Sequence, residues 1–392
     1  MATAVAKQPP ANLTFQGIVV PGSTLDPQAF FKGTRRERVL TQQFGHWQGF
    51  GNQTTVQALR AGILAGYYVT ISGSLRVTPS TGSVATTSRW PYGIVNAKFQ
   101  ANGQSNLIQA DGNFLRLREV MSDPDFSDRG VAQTIGGVTR NQGTLSLDSE
   151  SWGVGQNTTA IATGTYDVTL SLYVPVAYEK KRLTGAVFCQ TMSTTLELDL
   201  TWANLASLFT VVAPATVTFT PSVAVEAEVF TIPANGNGGM VLPNLSAFHS
   251  FVQSKAPNNI TAGPNTVTLA GQGVGRQLMR IAWRTMNGSP GVPYVPTAAH
   301  VTSPSWTYGT NTTPETWLNG QTLRATNERD YDCDIAAYEG FEVIDFDRTW
   351  AFRDSVNMGS ATTIRFNYTL AGTLSNPICE YAQDVVLAGA AA

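Results

Sequence analysis

The feature that most constrains this chain is a series of short runs in which apolar and polar residues alternate, spread along almost the whole sequence. Examples are "YYVTISGSLRV" from Tyr67, "TTLELDLTW" from Thr194 and "TTIRFNYTL" from Thr362. Successive side chains of a β-strand point to opposite faces, so this period predicts strands with one face in a core. Gly, Pro and Asn separate the runs. The pattern predicts an all-β protein of antiparallel sheets rather than βαβ units.

A few short helices are predicted between the strands. Asp26 before Pro27 fits the N-cap and first turn of a helix that continues to about Gln43. An apolar stripe after Asn244 predicts a second, amphipathic helix, and its members are Leu245, Phe248, Phe251 and Val252. Shorter helical turns are expected over 114–121 and 202–209.

Three sequence anchors recur in the same order in the two halves of the chain, which indicates an internal duplication. One strand ends at Asn102-Gly103 and another at Asn287-Gly288. The sequence "DGNFLR" at 111–116 is matched by "NGQTLR" at 319–324, and "TTLELDLTW" at 194–202 by "TTIRFNYTL" at 362–370. The spacing between the anchors differs in the two halves, so we expect loop insertions of different length.

A segment rich in Gly, Asn and Pro, 231–243, divides the repeats and predicts a domain boundary. The chain of 392 residues also exceeds the length that one hydrophobic core usually supports, about 250–300 residues. The predicted organisation is an N-terminal arm at 1–43, a first domain at 44–235, a second domain at 236–385 and a C-terminal tail at 386–392. Each half contains about the eight strand-like runs that a jelly roll needs.

Two long segments between predicted strands, 122–164 and 289–315, are expected to be functional or interaction loops. Charged residues make up only 13% of the chain, against roughly 25% in an average soluble domain. We infer that much of the surface contacts other protein; an uncharged soluble β-protein is the alternative. The formal net charge of −2 provides no attraction to nucleic acid. The chain shows no apolar core of a signal peptide and no run of about 18 apolar residues, so we expect neither ordinary secretion nor a membrane-spanning helix.

No motif indicates catalysis, a metal site or a cofactor. Walker, HExxH and G-x-S-x-G sequences are absent. The three cysteines are odd in number and far apart, so we expect buried free thiols at Cys189, Cys333 and Cys379. The three histidines, His46, His249 and His300, have no partner at metal or triad spacing. We expect His249, beside Phe248, to be a satisfied, partly buried side chain.

One acidic stretch, 330–347, leaves two hypotheses open. Asp330, Asp332 and Asp334 imitate the start of an EF-hand loop, but Ile335 stands where that loop requires glycine. A calcium site built from loops remains possible in principle, and so does a pair of carboxylates for glycoside hydrolysis. No tract of tryptophans for sugar stacking accompanies the acids.

The dense basic cluster of the chain lies in the predicted arm and consists of Lys32, Arg35, Arg36 and Arg38. A basic, partly amphipathic helix at this place suits an anionic lipid surface or an acidic partner. The alternative is a solvated helix face.

The segment "LYVPVAYEKKRLTGAV", 172–187, resembles a strand–turn–strand segment of the tectivirus-type major capsid proteins, which come from tailless icosahedral phages with an internal membrane. The order of "YGIVNAKFQANG" before it and "TTLELDLTW" after it is also similar. "GGMVLPNLSAFHSFVQ", 238–253, resembles the helix that opens the second barrel of that family. The likeness is strongest over 165–255. Because Pro175 cannot donate to a central ladder, we interpret 173–178 as a corner at a strand end without a chemical role.

The resemblance implies a double jelly roll, that is, two eight-stranded antiparallel barrels side by side, and a viral major capsid protein rather than an enzyme. Three chains would form a trimer with a pseudo-six-fold outline, and trimers would tile an icosahedral shell around an internal membrane. Implied partners are other copies of the chain, penton and minor capsid or membrane proteins, and the lipid on the inner side, with no cofactor and no direct contact with nucleic acid. The protein would assemble in the host cytoplasm and reside in the virion shell.

By the same resemblance, the two long insertions would point outward, and the arm with its basic cluster would face the membrane. Two other functions remain open from the residues. One is a trimeric β-sandwich spike that binds carbohydrate or a receptor. The other, with less support, is a jelly-roll glycoside hydrolase that uses the acids of 330–347.

Overall fold

The computed structural model of the chain describes most of the sequence in 21 segments. They are residues 13–15, 18–42, 47–57, 60–78, 82–87, 89–90, 92–101, 104–122, 133–135, 138–140, 160–161, 163–190, 196–256, 260–269, 273–286, 301–309, 312–331, 341–347, 355–359, 363–372 and 377–388. The predictions for His46, His300, Cys333, Asp332 and Asp334 concern residues that lie outside these segments.

Strands dominate the first half of the described chain. They are β1 (Leu13–Phe15), β2 (Ile18–Val20), β3 (Thr24–Leu25), β4 (Arg36–Gln42), β5 (Gln53–Gln57), β6 (Ile63–Thr78), β7 (Val84–Thr86), β8 (Val95–Ala101), β9 (Gln104–Asp111), β10 (Gln133–Ile135), β11 (Val138–Arg140), β12 (Ala160–Ile161), β13 (Gly164–Pro175), β14 (Val187–Phe188), β15 (Leu196–Trp202), β16 (Phe209–Val211) and β17 (Thr216–Phe230). Two helices accompany them, α1 (Pro27–Gly33) and α2 (Gly112–Ser122), with 3-10 turns at Tyr92–Ile94 and Leu205–Ser207.

The second half follows the same plan with one described helix, α3 (Gly320–Tyr331). Its strands are β18 (Val241–Leu242), β19 (Ala247–Lys255), β20 (Gly263–Thr268), β21 (Arg276–Met286), β22 (Val301–Tyr308), β23 (Thr312–Thr316), β24 (Phe341–Asp345), β25 (Val356–Asn357), β26 (Ile364–Leu370) and β27 (Ile378–Ala388).

Each half forms a barrel of two facing sheets. In the first barrel the strand order is β13-β6-β17-β4 in one sheet, called sheet 1a here, and β9-β8-β15-β5 in the other, sheet 1b. In the second barrel the order is β24-β21-β27-β19 in sheet 2a and β23-β22-β26-β20 in sheet 2b. If the eight strands of each barrel are numbered along the chain, both a-sheets have the order 6-3-8-1 and both b-sheets 5-4-7-2. The all-β, double jelly-roll prediction is therefore confirmed.

The repeat inferred from the sequence matches this topology at two of its three anchors. "DGNFLR" and "NGQTLR" open α2 and α3, each of which follows the fifth strand of its barrel. "TTLELDLTW" and "TTIRFNYTL" form the seventh strands, β15 and β26. The third anchor is wrong, because Asn102-Gly103 joins the fourth and fifth strands whereas Asn287-Gly288 follows the third. Asn-Gly suits many hairpin turns and so does not identify a particular one.

Two helix predictions are wrong, and tertiary pairing explains both. The helix from Pro27 ends at Gly33, and the chain continues as β4, which pairs with β17. Asp26 is the predicted N-cap, since its carboxylate accepts from the Ala29 N–H at 2.9 Å. The stripe after Asn244 belongs to strand β19, which pairs with β27 along its whole length. The prediction over 114–121 is confirmed by α2, while 202–209 contains only a 3-10 turn.

A separate hydrophobic core fills each barrel, and a small third core closes one end of the first. Phe30 of α1 is fully buried in this third core, with Ile63, Ala177 and Leu183. β4, inside the predicted arm 1–43, is an integral strand of sheet 1a. We therefore propose to start the first barrel at β4 and, because β27 continues to Ala388, to end the second barrel there rather than at 385; the predicted limit at 235 remains a proposal.

The two ends of sheet 1a have different neighbours. At one end Arg36, Phe230 and Ile63 are paired, and α1 lies there. At the other end Thr78 pairs with Thr216, and β12, which lies near the end of the predicted insertion 122–164, pairs with β7. β6 has 16 residues, so these ends are about 50 Å apart at about 3.3 Å per residue. In the second predicted insertion, 289–315, residues from Val301 onward belong to β22 and β23 of sheet 2b, which corrects that prediction.

Candidate functional site at the junction of the two barrels

The two barrels are joined edge to edge by their backbones. β9 of sheet 1b and β19 of sheet 2a pair in parallel, with Ile108 opposite Phe251 and Gln109 opposite Val252. Sheets 1b and 2a therefore form one continuous sheet across the molecule. This pairing sets the orientation of one barrel relative to the other, because a register slip would turn every side chain of β19 to the opposite face.

Helix α2 fills the angle between the barrels. Every side chain from Asn113 to Arg118 is buried, an unusual state for a surface helix of a single barrel. The Phe114 ring meets the Phe341 ring edge to face at 5.4 Å. The residues of sheet 2a that face α2 share the first barrel's core, and they are Phe251, Ala282, Phe341, Val343 and Ala382. One face of the second barrel is therefore covered by the first.

An ion-pair cluster holds the start of α2 against the second barrel. Asp111 is the N-cap, and its Oδ1 accepts from the Phe114 N–H at 3.1 Å. Its Oδ2 accepts from Arg284 of β21, which also pairs with Glu380 of β27. The Asp111 N–H donates to Gln253 Oε1 at 2.8 Å. One carboxylate thus caps the helix and binds the neighbouring barrel.

Near the end of α2, Arg118 forms a second, fully buried network with the other barrel. Its Nε donates to Asp384 Oδ2 at 2.8 Å, and an Nη donates to the Tyr178 carbonyl at 3.0 Å. The same Nη lies 3.3 Å from His249 Nε2, which is itself 2.7 Å from Asp384 Oδ1. Arg118 is 4% exposed and Asp384 is fully buried. Charges buried this deeply are tolerated only when they are paired and hydrogen-bonded.

The protonation of this network follows from burial and from its own charges. Burial favours the neutral acid, but Arg118 and His249 outweigh it and hold the pKa of Asp384 well below its usual range. Burial and the positive Arg118 lower the pKa of His249, against the opposing effect of Asp384. Within this network, Asp384 is therefore an anion. His249 is satisfied as expected, since its Nδ1 lies 3.1 Å from the Pro175 carbonyl, but it is fully rather than partly buried.

The described acids of 330–347 serve structural roles. Asp345 is buried and accepts from Arg280 Nε at 2.6 Å and from the Asp347 N–H at 2.7 Å. Asp347 accepts from the Tyr178 hydroxyl at 3.0 Å. Among the described residues, no three metal-ligating side chains come together. Cys189 and Cys379 are free and buried, and burial raises the pKa of each thiol to about 12.

The segment "YVPVAY", 173–178, is a corner as predicted, and β13 ends within it at Pro175. Sequence reasoning missed that its two tyrosines each bind a buried acid, Tyr173 on Glu228 at 2.8 Å and Tyr178 on Asp347. The alternation in "ICEYAQDVVLA" places Asp384 on the face opposite the core residues Tyr381 and Val385, where a charge is ordinary, so the sequence held no local signal of its burial. Which distant partner it meets could not be read from the sequence.

The four residues of the predicted basic cluster do not lie on one helix. Lys32 is in α1, Arg35 follows it, and Arg36 and Arg38 belong to β4; all four side chains are exposed. Arg36 pairs with the buried Glu228 at 3.5 Å, and Arg38 stacks on the Tyr68 ring at 3.8 Å. The amphipathic-helix interpretation is therefore wrong, since the chain changes from helix to strand within the cluster.

Comparison with known proteins gives a consistent picture of family and fold. The family model described as the N-terminal part of the P3 major capsid protein, from phage capsids, matches residues 37–237, just over half of the chain. A crystal structure of the STIV MCP is similar with a TM-score of 0.63 and 14% identity, covering 91% of this chain and 97% of that one. An atomic structure of Sulfolobus turreted icosahedral virus gives 0.61 and 14%, covering 91% of both chains. The Faustovirus major capsid protein gives 0.52 and 9%, covering 91% of this chain and 90% of that one.

A search of curated proteins gives no match. In the described part of the chain, no helix has the length and apolar character needed to cross a membrane.

Proposed function

The chain belongs to the P3 family of phage major capsid proteins, and on that premise we propose that three copies form a pseudo-hexameric block of an icosahedral shell around an internal membrane. The protein is a structural, non-enzymatic component of the virion capsid, where many copies associate. The spike and hydrolase hypotheses are thereby set aside. What carries the trimer proposal is the repeated topology of the two barrels, because six similar barrels from three chains can fill one six-fold outline.

The composition supports extensive contacts between copies. Only 13% of the residues are charged, and the outward face of sheet 1a carries small hydroxyl side chains. Its exposed or half-exposed members include Thr169, Ser171, Thr70, Ser72 and Ser222. Such a face can pack against protein without leaving buried charges unpaired. We expect each contact between copies to belong to the obligate class, above about 2,000 Å².

The mass of the purified protein in solution tests the trimer. Light scattering should give about three times the chain mass of 42.0 kDa, unchanged by dilution or by raised salt, because apolar and hydrogen-bonded contacts are little screened. A stable monomer would contradict the proposal.

The barrel end that carries α1 is proposed to face the membrane, and the opposite end, with its long insertion, to face outward. Lys32 and Arg35 are exposed there, and Lys181 is exposed on the loop that packs with α1 in the third core. Each basic residue near an anionic bilayer is worth about 1 kcal/mol. Arg36 and Arg38 are engaged with Glu228 and Tyr68, so we assign them a smaller part.

Cosedimentation with vesicles of an anionic phospholipid tests this orientation. Reversing Lys32, Arg35 and Lys181 to glutamate should weaken binding and make it insensitive to salt, with the trimer mass unchanged. The matched control reverses Arg76, which is exposed at the opposite end of sheet 1a. Equal binding by both variants would contradict the orientation. We also propose penton and minor capsid or membrane proteins as further partners.

A further inference from the structure

Helix α3 of the second barrel has the same place in its barrel as α2 in the first, but different surroundings. Described side chains at equivalent positions are buried in α2 and exposed in α3, as Phe114 against Thr322 and Leu117 against Ala325 show. The reason is that sheet 2a covers α2, whereas among the described residues nothing comparable covers α3. The outer face of sheet 1a, the counterpart of sheet 2a, is likewise exposed.

We propose that α3 of one copy packs on the outer face of sheet 1a of a second copy, repeating between chains the junction that α2 and sheet 2a form within one chain. This inference rests on the proposed trimer and identifies its contact. Three junctions within chains and three between chains close a ring of six barrels, and a ring that closes leaves no unpaired surface of this kind. Both exposed faces are then accounted for by a single contact.

Buried acids align the two junctions. Asp384 and Glu228 lie on the eighth strands of their barrels, point to the outer face of their sheets and are fully buried. Two residues before them on these strands, Ala382 pairs with Gln253, and Glu226 pairs with Leu40. Leu40 therefore corresponds to Gln253.

Within the chain, Gln253 binds the backbone of Asp111, the residue that precedes α2. The counterpart of Asp111 is Asn319, which directly follows Leu318. The correspondence thus brings Leu40 of one copy to Leu318 of the next. Leu40 is 47% exposed and Leu318 is 76% exposed, two of the large apolar side chains left in water by the single chain. The proposed contact packs these two leucines against each other and so removes both from water.

Charge supports the same arrangement at the other end of the helix. A helix C-terminus has partial negative charge, and the last turn of α3 contains Asp330, which pairs with the exposed Arg329 at 3.3 Å. At the corresponding end of sheet 1a, Arg36, Arg38 and Lys180 gather around Glu228 and Tyr68. Within the chain, Arg280 of sheet 2a occupies the equivalent place and lies 3.5 Å from Ser122 Oγ at the end of α2.

The contact proposed is between helix and sheet, without extension of the backbone ladder. Pro314 in β23 has no N–H to donate, so β23 is poorly suited to pair with β4 of a neighbour. The interface would therefore separate without breaking a continuous sheet, unlike the junction within the chain.

Thiol cross-linking of the whole protein tests the contact. In a Leu40→Cys, Leu318→Cys variant, a short bismaleimide should link three chains into one covalent ring, seen as a trimer band on a denaturing gel. Each single-cysteine variant and the wild type give the background from native cysteines. The matched control pairs Leu40→Cys with Val274→Cys, an 88% exposed residue of the second barrel remote from α3. A trimer band of equal strength in the control would overturn the proposal.

A substitution provides the second measurement. Leu318→Asp should raise the trimer dissociation constant at least about tenfold, because burial of one leucine side chain is worth about that factor. Val274→Asp should leave it unchanged. This contact, but not the trimer, would be overturned if the wild type is a trimer, Leu318→Asp leaves the dissociation constant unchanged and the double-cysteine variant gives no cross-link. A wild-type monomer would instead overturn the proposed function.

Discussion

Replacement of Arg118 by methionine should destabilise the protein more than any exposed change. Methionine keeps the length and apolar stem of the side chain but removes the charge and the donors. Asp384, fully buried, would then lose its directly bonded cation and keep His249 as a hydrogen-bond partner and Arg280 as a nearby charge. Breaking a buried pair by removing one partner costs about 3–5 kcal/mol, because the remaining charge is uncompensated. We expect a loss of about that size in the free energy of unfolding.

The assay is urea denaturation at a fixed protein concentration, since association between copies also contributes to stability. Arg365→Met is the matched control: Arg365 is exposed on sheet 2b, and the change should cost less than about 0.5 kcal/mol. The double variant Arg118→Met, Asp384→Leu should recover most of the loss, because a well-packed apolar pair often replaces a buried ion pair without cost.

The loss should also depend on pH. Arg118 lowers the pKa of His249, so its removal raises that pKa and lets His249 take a proton beside Asp384. The variant should therefore lose less stability at pH 5.5 than at pH 8. A loss below about 1 kcal/mol at pH 8, or no recovery in the double variant, would refute the view that the pair is buried and essential to the junction.

Two further predictions concern single residues. The pKa of His249 is lowered in the folded state, so the unfolded chain binds more protons below its usual pKa of about 6.5; the wild type should lose stability as the pH falls from 6.5 toward 5, and His249→Gln should remove that part of the slope. Stability that instead rises on acidification would show an imidazolium that donates from both nitrogens. Gly66→Ala should cost about 1–3 kcal/mol in thermal or urea unfolding, because a Cβ there overlaps the Tyr173 hydroxyl and lies 2.7 Å from the Val174 oxygen. Gly236→Ala, with open space around it, should be neutral, and equal effects of the two would contradict the packing.

The alternation of apolar and polar residues was sufficient to predict a strand wherever one face of that strand packs in the core of its own barrel. β15 and β26 were predicted from the alternation of their apolar residues, and both are buried on alternate positions. Asp111 and Asn319 are N-caps, and each accepts from the N–H three residues later. In the sequence they were recognised only as parts of the repeat, and the helix after Asn319 was not predicted. The same pattern was misleading at β19, whose two faces are both largely covered by protein, so that its apolar residues no longer follow a period of two.

Strand period, turn residues and caps depend on neighbours along the chain, so the all-β class, the duplication and the absence of a local catalytic motif could be predicted from the sequence. That Arg36 and Arg38 lie in a strand, and that Arg118, His249 and Asp384 meet, depends on tertiary contacts. The last three come from α2, β19 and β27, and Arg118 and Asp384 are 266 positions apart in the sequence. Their pairing depends on how one barrel lies against the other. That arrangement follows from the parallel β9–β19 contact, which no local periodicity encodes.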